Sequence, residues 1–166
     1  MKITDNELKD VLQTVIDWIK FADQKVSIFL ALQGLFATLL APGFLKTIQT
    51  NIQARTISGW DFILIFLAMF FLGWALTEGI SAIFPTLSNK IRSHLYFDGI
   101  KNIPLKQYQK EMKNMTKEQY FDELTEQIHT NSRIASSKYG RFQRFVICFM
   151  IGISLFFISY IVILFY

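Results

Sequence analysis

Three long apolar stretches constrain this chain more than any other feature of its sequence. The first, Val26–Leu45, holds 20 uncharged residues between Lys25 and Lys46. As an α-helix it would be about 30 Å long, which matches the hydrocarbon thickness of a bilayer. Similar runs follow at Phe62–Phe84 and Phe145–Tyr166. The sequence therefore predicts an all-α membrane protein with three transmembrane helices, placed at residues 26–45, 61–84 and 145–166.

The positions of the basic residues predict the orientation of these spans. The chain has 17 Lys and Arg residues, and only Lys46 and Arg55 lie between the first two spans. Cytoplasmic segments of membrane proteins carry an excess of basic residues. We therefore expect the N-terminus to be cytoplasmic and the C-terminus to lie outside. A single domain would then comprise, besides the spans, a cytoplasmic amphipathic helix at 4–25, an outer loop at 46–60 and a cytoplasmic helical segment at 85–144.

Two cytoplasmic helices are expected to continue without a break into the first and third spans. One begins at the capping-box pair Thr4 and Glu7, and the other at a second capping box, Thr116 and Gln119. Apolar residues recur in the first helix at alternating steps of four and three, as in a coiled coil. They are Leu8, Leu12, Val15, Ile19, Ala22 and Val26. The alternative is that the N-terminal helix lies flat on the membrane surface.

These two helices are expected to pack in parallel, because both enter the membrane from the same side. Such packing sets Asp17 and Asp23 level with Arg133 and Lys138. Asn131 would then be a polar residue in the seam that fixes the register or the oligomeric state. The seam pattern of the second helix is Phe121, Leu124, Ile128, Asn131, Ala135, Lys138 and Phe142. The alternative is that the two stripes only cover one another within a monomer.

Two polar positions inside the predicted spans are candidates for a membrane gate or pore. Gln33 lies in the first span, on a small or polar face with Gly34, Ala37 and Thr38. Glu78 follows a run of 16 uncharged residues, which is too short for a full crossing. Either Glu78 lies within the inner leaflet or the second helix ends near it. Glu78 is accordingly a structural interface residue or part of a hydrated path.

Prolines and turn signals divide the remaining segments. Pro42 and Gly43 predict that the first helix ends near the outer surface. On the cytoplasmic side a helix is expected over Leu87–Ile100. Pro104 then predicts the start of a second short helix that ends near Met115.

The sequence contains none of the common motifs that indicate catalysis. It has no Gly-rich phosphate loop, no CxxC or HExxH motif and no nucleophile elbow. His94 and His129 lack the spacing of metal ligands, and Cys148 lies in the third span, where a thiolate is disfavoured. We therefore expect no enzyme, no catalytic residues and no metal site. Because the basic residues flank the apolar runs, the charge pattern also argues against nucleic acid as a partner.

Short motifs placed around the three spans resemble those of a known family. The segment Trp18–Lys25 leads directly into the first span, Tyr96–Ile100 lies in the cytoplasmic segment, and Ser132–Ala135 with Lys138 and Tyr139 precedes the third span. In this order they resemble the transmembrane effector domain of Pycsar antiphage defence systems, from about Leu8 to the end of the chain. The residues that match the first and last motifs are Trp18, Ala22, Asp23, Lys25, Lys138 and Tyr139.

The resemblance implies an effector of the bacterial inner membrane. Downstream of a cyclic nucleotide signal it would oligomerise or rearrange and impair membrane integrity, which aborts the infection. Its partners would be the lipid bilayer, further copies of the chain, and a cyclic nucleotide or a sensor linked to a nucleotide cyclase. No cofactor is implied beyond that possible cyclic nucleotide ligand. Gln33 and Glu78 could line or gate a pore once several copies assemble.

Two other functions fit the same sequence. The chain could be a non-pore scaffold or regulatory subunit that docks a cytoplasmic partner through its helical stalk. It could also be a small transporter or a component of a constitutive channel. Transporters commonly show internal repeats and helices that are broken in mid-membrane, and neither feature is found here.

Overall fold

The computed structural model describes residues 4–54, 58–84, 97–101 and 103–165. Within them it contains helices α1 (Asp5–Ala54), α2 (Gly59–Ile83), α3 (Phe97–Ile100), α4 (Leu105–Asn114) and α5 (Lys117–Phe165). None of the described residues lies in a β-strand. Helices α1, α2 and α5 are long and apolar enough to cross a membrane. The predicted all-α fold with three candidate spans is confirmed, and so is the continuity of the first and third spans with the helices before them.

The chain divides into two compact units, which are described separately. The polar unit comprises Met1–Phe21 and Pro85–Ser137, and the three-helix unit comprises Ala22–Phe84 and Lys138–Tyr166. Helix α2 lies wholly in the three-helix unit, and α3 and α4 lie in the polar unit. Helices α1 and α5 contribute residues to both.

The polar unit begins its two long helices with the predicted capping boxes. The Thr4 backbone N–H donates to Glu7 Oε2 at 2.7 Å, and the Thr116 N–H donates to Gln119 Oε1 at 3.0 Å. These bonds satisfy N–H groups that have no partner inside the helix. The predicted helix after Pro104 is confirmed as α4. Of the helix predicted over Leu87–Ile100, only α3 is described; residues 87–96, which include His94 and Tyr96, lie outside the described residues.

The apolar stripes of α1 and α5 supply the buried residues of the polar unit. Leu8 and Leu124 are buried, and the Lys9 ammonium lies 5.7 Å from the centroid of the Tyr120 ring. The other stripe residues of this unit are half-buried: Leu12, Val15, Ile19, Ile128, Asn131 and Ala135. Phe121 is the exception, because its side chain is exposed. The stripes are thus largely buried in the polar unit, and the effect of this seam on the oligomeric state stays a prediction.

In the three-helix unit, α1 and α5 run parallel and α2 runs antiparallel to both. Buried positions on α5 recur in steps of three and four, as coiled-coil packing requires. They include Lys138, Phe145, Phe149, Gly152, Phe156, Ser159 and Ile163. The buried residues of α2 beyond Asp61 are all small: Ala68, Ala75, Gly79 and Ala82. Small residues let helix backbones approach closely, so the α5 rings fit against the α2 surface.

Helix α1 shows that the predicted helix end at Pro42 and Gly43 is wrong. Pro42 lies inside α1, which continues to Ala54. A proline in a helix removes one backbone hydrogen bond, but the following residues gain contacts with α5. Phe44 is buried, with its ring centroid 4.5 Å from that of Phe156, and Asn51 Nδ2 donates to the Ile163 carbonyl at 3.0 Å. Residues 46–54 of the predicted outer loop are therefore helical, and their position outside the membrane stays a prediction.

Helix α2 resolves the question of whether the second helix ends near Glu78. The helix continues past Glu78 to Ile83, so the apolar run and Glu78 belong to one unbroken helix. Its start is fixed by Asp61, whose Oδ2 accepts a bond of 2.8 Å from the Ser58 backbone N–H. Glu78 is thus a helical residue that needs a polar partner at its own level of the unit.

Candidate functional site in the three-helix unit

A partly buried ion pair joins α1 to α5. Lys138 Nζ donates to Asp23 Oδ1, and the Lys138 side chain is 9% exposed while that of Asp23 is 39% exposed. A buried ammonium is stable only when an opposite charge or several hydrogen bonds compensate its lost hydration. The predicted alignment of Asp23 with Lys138 is confirmed. Asp17, in the polar unit, instead accepts bonds from Gln13 and Lys20 of its own helix.

Other motif residues surround this ion pair. Ala22 is fully buried beside Asp23. The Lys25 ammonium lies 6.0 Å from the centroid of the Phe142 ring, and Tyr139 follows Lys138 on α5 as a half-buried residue. Motif residues from two distant parts of the sequence therefore meet in one place. Trp18 belongs to the polar unit, where its side chain is 53% exposed.

A second ion pair joins α2 to α5. Arg144 Nε donates to Glu78 Oε1 at 3.0 Å, and Arg144 Nη2 donates to Glu78 Oε2 at 3.2 Å. This two-bond arrangement matches the planar guanidinium to the carboxylate. The Glu78 side chain is 18% exposed and that of Arg144 is 55% exposed. Glu78 is therefore paired, although its proposed role in a gate stays a prediction.

A neighbouring arginine binds the end of α2. Arg141 Nη1 donates to the Ser81 carbonyl at 2.9 Å. That carbonyl belongs to the last turn of α2, where carbonyls lack a partner within the helix. The two arginines line a groove of about 410 Å³, called the arginine groove below. Its lining residues are Trp74, Thr77, Glu78, Ser81, Arg141 and Arg144.

Neither arginine was predicted as a site residue, although the sequence carries a signal for Arg144. A carboxylate at the end of an apolar run requires a cation at the same depth. Arg144 is the last charged residue before the third apolar run, and Glu78 is the last charged residue of the second. With the two spans antiparallel, these positions fall at the same level. That comparison would have predicted the pair.

Gln33 is a buried amide in the apolar part of the unit. Its Nε2 donates to the Leu72 carbonyl at 2.8 Å, whereas its Oε1 is buried and has no hydrogen-bond partner. The predicted small or polar face is thus divided, because Gln33 points inward while Gly34, Ala37 and Thr38 are exposed. A half-satisfied buried amide costs free energy in a setting without water.

The described residues offer few other functional groups. Among them, no cluster of three or more His, Cys, Asp or Glu side chains is arranged to hold a metal ion. Asn131 is a half-buried residue of the polar unit, and its effect on register or oligomeric state stays a prediction. The polar contacts of the three-helix unit are therefore the best-defined candidate site.

A family model described as the Pycsar effector protein domain matches residues 7–165. This chain belongs to the Pycsar effector family. The resemblance inferred from the motifs is confirmed, and membership implies that the protein is an effector in antiphage defence. The three apolar helices of this Pycsar effector make it a membrane protein. No curated protein and no solved structure matched the chain.

The family match covers all the motif residues of this Pycsar effector. Two of them, Asp23 and Lys138, form the partly buried ion pair between α1 and α5. Glu78 and Arg144 connect α2 to the same helix. Polar contacts thus link all three membrane helices at one end of the unit, where α2 finishes.

Proposed function

We propose that this Pycsar effector acts in the bacterial inner membrane and impairs it when a cyclic nucleotide signal causes the chain to oligomerise or rearrange. The N-terminus would be cytoplasmic and the C-terminus outside. The observation that carries the proposal is the partly buried Asp23–Lys138 ion pair, which holds α1 and α5 together. Breaking such a contact leaves an uncompensated charge in the unit, which favours a change in helix packing.

The interior of the three-helix unit supports a requirement for several copies or a rearranged state. Aromatic rings fill the space between α1 and α5: Phe36 lies 4.9 Å from Phe156 and Phe29 lies 6.1 Å from Phe145, centroid to centroid. These rings occupy the space between α1 and α5. Impairment of the membrane would therefore follow from assembly or repacking of helices.

Polar groups already present in the unit could serve a conducting state. Gln33 is buried with an unpartnered oxygen, and Lys138 is buried with a single carboxylate partner. Both groups would gain hydration if the helices separated around water. Gln33 and Glu78 remain our candidates for residues that line or gate such a pore.

A face of α1 offers a contact surface for a second copy. Gly34, Ala37 and Thr38 are exposed, and among the described residues no side chain or neighbouring helix lies within 4 Å of a Cβ built on Gly34. Small residues on an exposed membrane helix allow another helix to approach closely. Assembly through this face would leave the internal packing of each copy unchanged.

The polar unit provides the region through which a signal could act. A groove there, about 750 Å³ in volume, is lined by Glu111, Asp122 and Glu123 as well as Lys110. Its acidic side chains outnumber its basic ones, which disfavours a phosphate group. We therefore favour a partner protein linked to a nucleotide cyclase over direct binding of the nucleotide in this groove. The chain would act without catalysis or a cofactor.

Membrane integrity in bacteria tests this proposal. Cells that express the native chain, Asp23→Asn or the exchanged pair Asp23→Lys with Lys138→Asp would be followed by growth and by uptake of a membrane-impermeant dye. We expect Asp23→Asn to increase dye uptake without infection, and the exchanged pair to return it toward the native level. If matched expression of every variant leaves the dye outside while a soluble protein co-purifies, the non-pore scaffold function is favoured instead.

A further inference from the structure

The arginine groove carries a net positive charge at one end of the three-helix unit. Glu78 neutralises one guanidinium, whereas Arg141 bonds to the uncharged Ser81 carbonyl. The formal charge of the lining side chains is therefore +1, from Arg141, Arg144 and Glu78. The hydrogen bonds described use fewer than half of the five N–H donors that each guanidinium carries. Donors thus remain for an anion.

The groove continues onto an apolar surface of α2. Trp74 lines it with a side chain that is 49% exposed, and its ring lies 5.7 Å from that of Phe70, centroid to centroid. Phe70 and Leu67 are also exposed, farther along the same helix. In a membrane-spanning unit such faces contact acyl chains, and tryptophan is enriched at the level of the lipid headgroups.

We propose that the arginine groove binds an anionic phospholipid, with its phosphodiester at Arg141 and Arg144 and an acyl chain along Trp74 and Phe70. The single negative charge of a phosphodiester matches the charge of the groove. Guanidinium groups hold phosphate oxygens through paired hydrogen bonds. Basic pockets between membrane helices are known to accept lipid headgroups. The proposal requires the unit to lie in a membrane, and it does not depend on the proposed effector function.

Quenching of Trp74 fluorescence by brominated lipids reports which lipid occupies this position. The chain has three Trp residues, and Trp18 and Trp60 are both exposed. The variant with Trp18→Phe and Trp60→Phe, otherwise complete, leaves Trp74 as the sole tryptophan, which is excited selectively over tyrosine at the red edge of its absorption. Reconstituted in vesicles, it should be quenched more strongly by brominated phosphatidylglycerol than by brominated phosphatidylcholine at equal mole fraction.

Three substitutions in that background test the contacts. Arg141→Gln should lower the preference for phosphatidylglycerol about tenfold, as expected for loss of one charge-assisted hydrogen bond. Glu78→Gln should raise it, because Arg144 loses its competing carboxylate. Lys46→Gln is the matched control: it removes one positive charge near the opposite end of the unit, beside Asn51, and should leave the preference unchanged.

Salt and a soluble competitor complete the test. If Arg141→Gln does not fold, 1 M NaCl added to the parent variant should reduce its lipid preference, since Arg144 is more than half exposed. A preference that is absent, that persists in Arg141→Gln, or that resists salt overturns the proposal. Displacement of phosphatidylglycerol by millimolar dimethyl phosphate also overturns it, because the groove would then be a site for a soluble phosphodiester.

Discussion

Gly152 of α5 lies directly against Leu72 of α2. A Cβ atom at Gly152 would stand 2.8 Å from Leu72 Cγ and 3.0 Å from the Leu72 backbone nitrogen. The carbonyl of Leu72 also accepts the hydrogen bond from Gln33 of α1. All three membrane helices therefore meet at Leu72, and the absence of a side chain at position 152 is what permits this approach.

Gly152→Ala should destabilise the three-helix unit by about 1–3 kcal/mol, because the added methyl group meets backbone that cannot move aside freely. Thermal unfolding in a neutral detergent measures the change. Gly73→Ala is the matched control, since no neighbouring element in the described part of the chain lies within 4 Å of a Cβ at Gly73, and it should be neutral or slightly stabilising. Equal unfolding temperatures for Gly152→Ala and the native chain would contradict the close approach.

Asp23→Asn should destabilise the unit by about 1–3 kcal/mol, because it leaves the buried Lys138 ammonium without a counter-charge, and less than for a fully buried pair, because the Asp23 side chain is 39% exposed. The double variant Asp23→Asn with Lys138→Met should recover most of that loss. Asp17→Asn is the control: the Asp17–Lys20 pair is exposed on both sides and should contribute less than about 1 kcal/mol. A double variant as unstable as Asp23→Asn would show that the charge is not the cause.

Gln33→Leu should stabilise the resting unit or leave its stability unchanged. It removes the buried Gln33 Oε1, which has no hydrogen-bond partner in the described structure. It also removes the hydrogen bond from Gln33 Nε2 to the Leu72 carbonyl, but that carbonyl can still accept a backbone bond within α2. The same variant should alter ion leakage in cells in which the effector is active. Gln24→Leu, at an exposed position of α1, controls for added hydrophobicity; loss of stability in Gln33→Leu alone would refute this account.

Thr4→Ala should raise the pKa of Glu7 only part of the way to its usual value, because alanine loses the hydroxyl and keeps the backbone N–H. The Thr4 backbone N–H, and secondarily its hydroxyl, donate to the Glu7 carboxylate and hold the pKa of that carboxyl below its usual value. This cap therefore stabilises the helix fully at pH values above the usual pKa of a glutamate. The stabilisation is lost as the pH falls through the lowered pKa of Glu7. A ¹³C NMR titration of Glu7 measures the shift. Thr14→Ala, whose hydroxyl donates to the Asp10 carbonyl, should leave the titration of Glu7 unchanged.

Local sequence signals predicted the features that depend on local physics. The apolar runs predicted the three membrane helices, because helix length must match bilayer thickness. The pairs Thr4–Glu7 and Thr116–Gln119 predicted helix starts, since a cap involves residues three apart. The stripe from Leu8 to Val26, with apolar residues at alternating steps of four and three, predicted the buried face of α1, because residues at that spacing lie on one side of a helix.

Tertiary structure decided the features that depend on residues far apart in the chain. Helix α1 continues through Pro42 because Asn51 bonds to Ile163, 112 positions away. Glu78 is paired because Arg144, 66 positions later, lies at the same level of the antiparallel helix. The sequence by itself determined that three long helices form, where α1 and α5 begin, and most of the face that α1 buries. Only their packing determined that Gln33 bonds to the Leu72 carbonyl and Arg141 to the Ser81 carbonyl, because those contacts depend on the register between helices and not on local spacing.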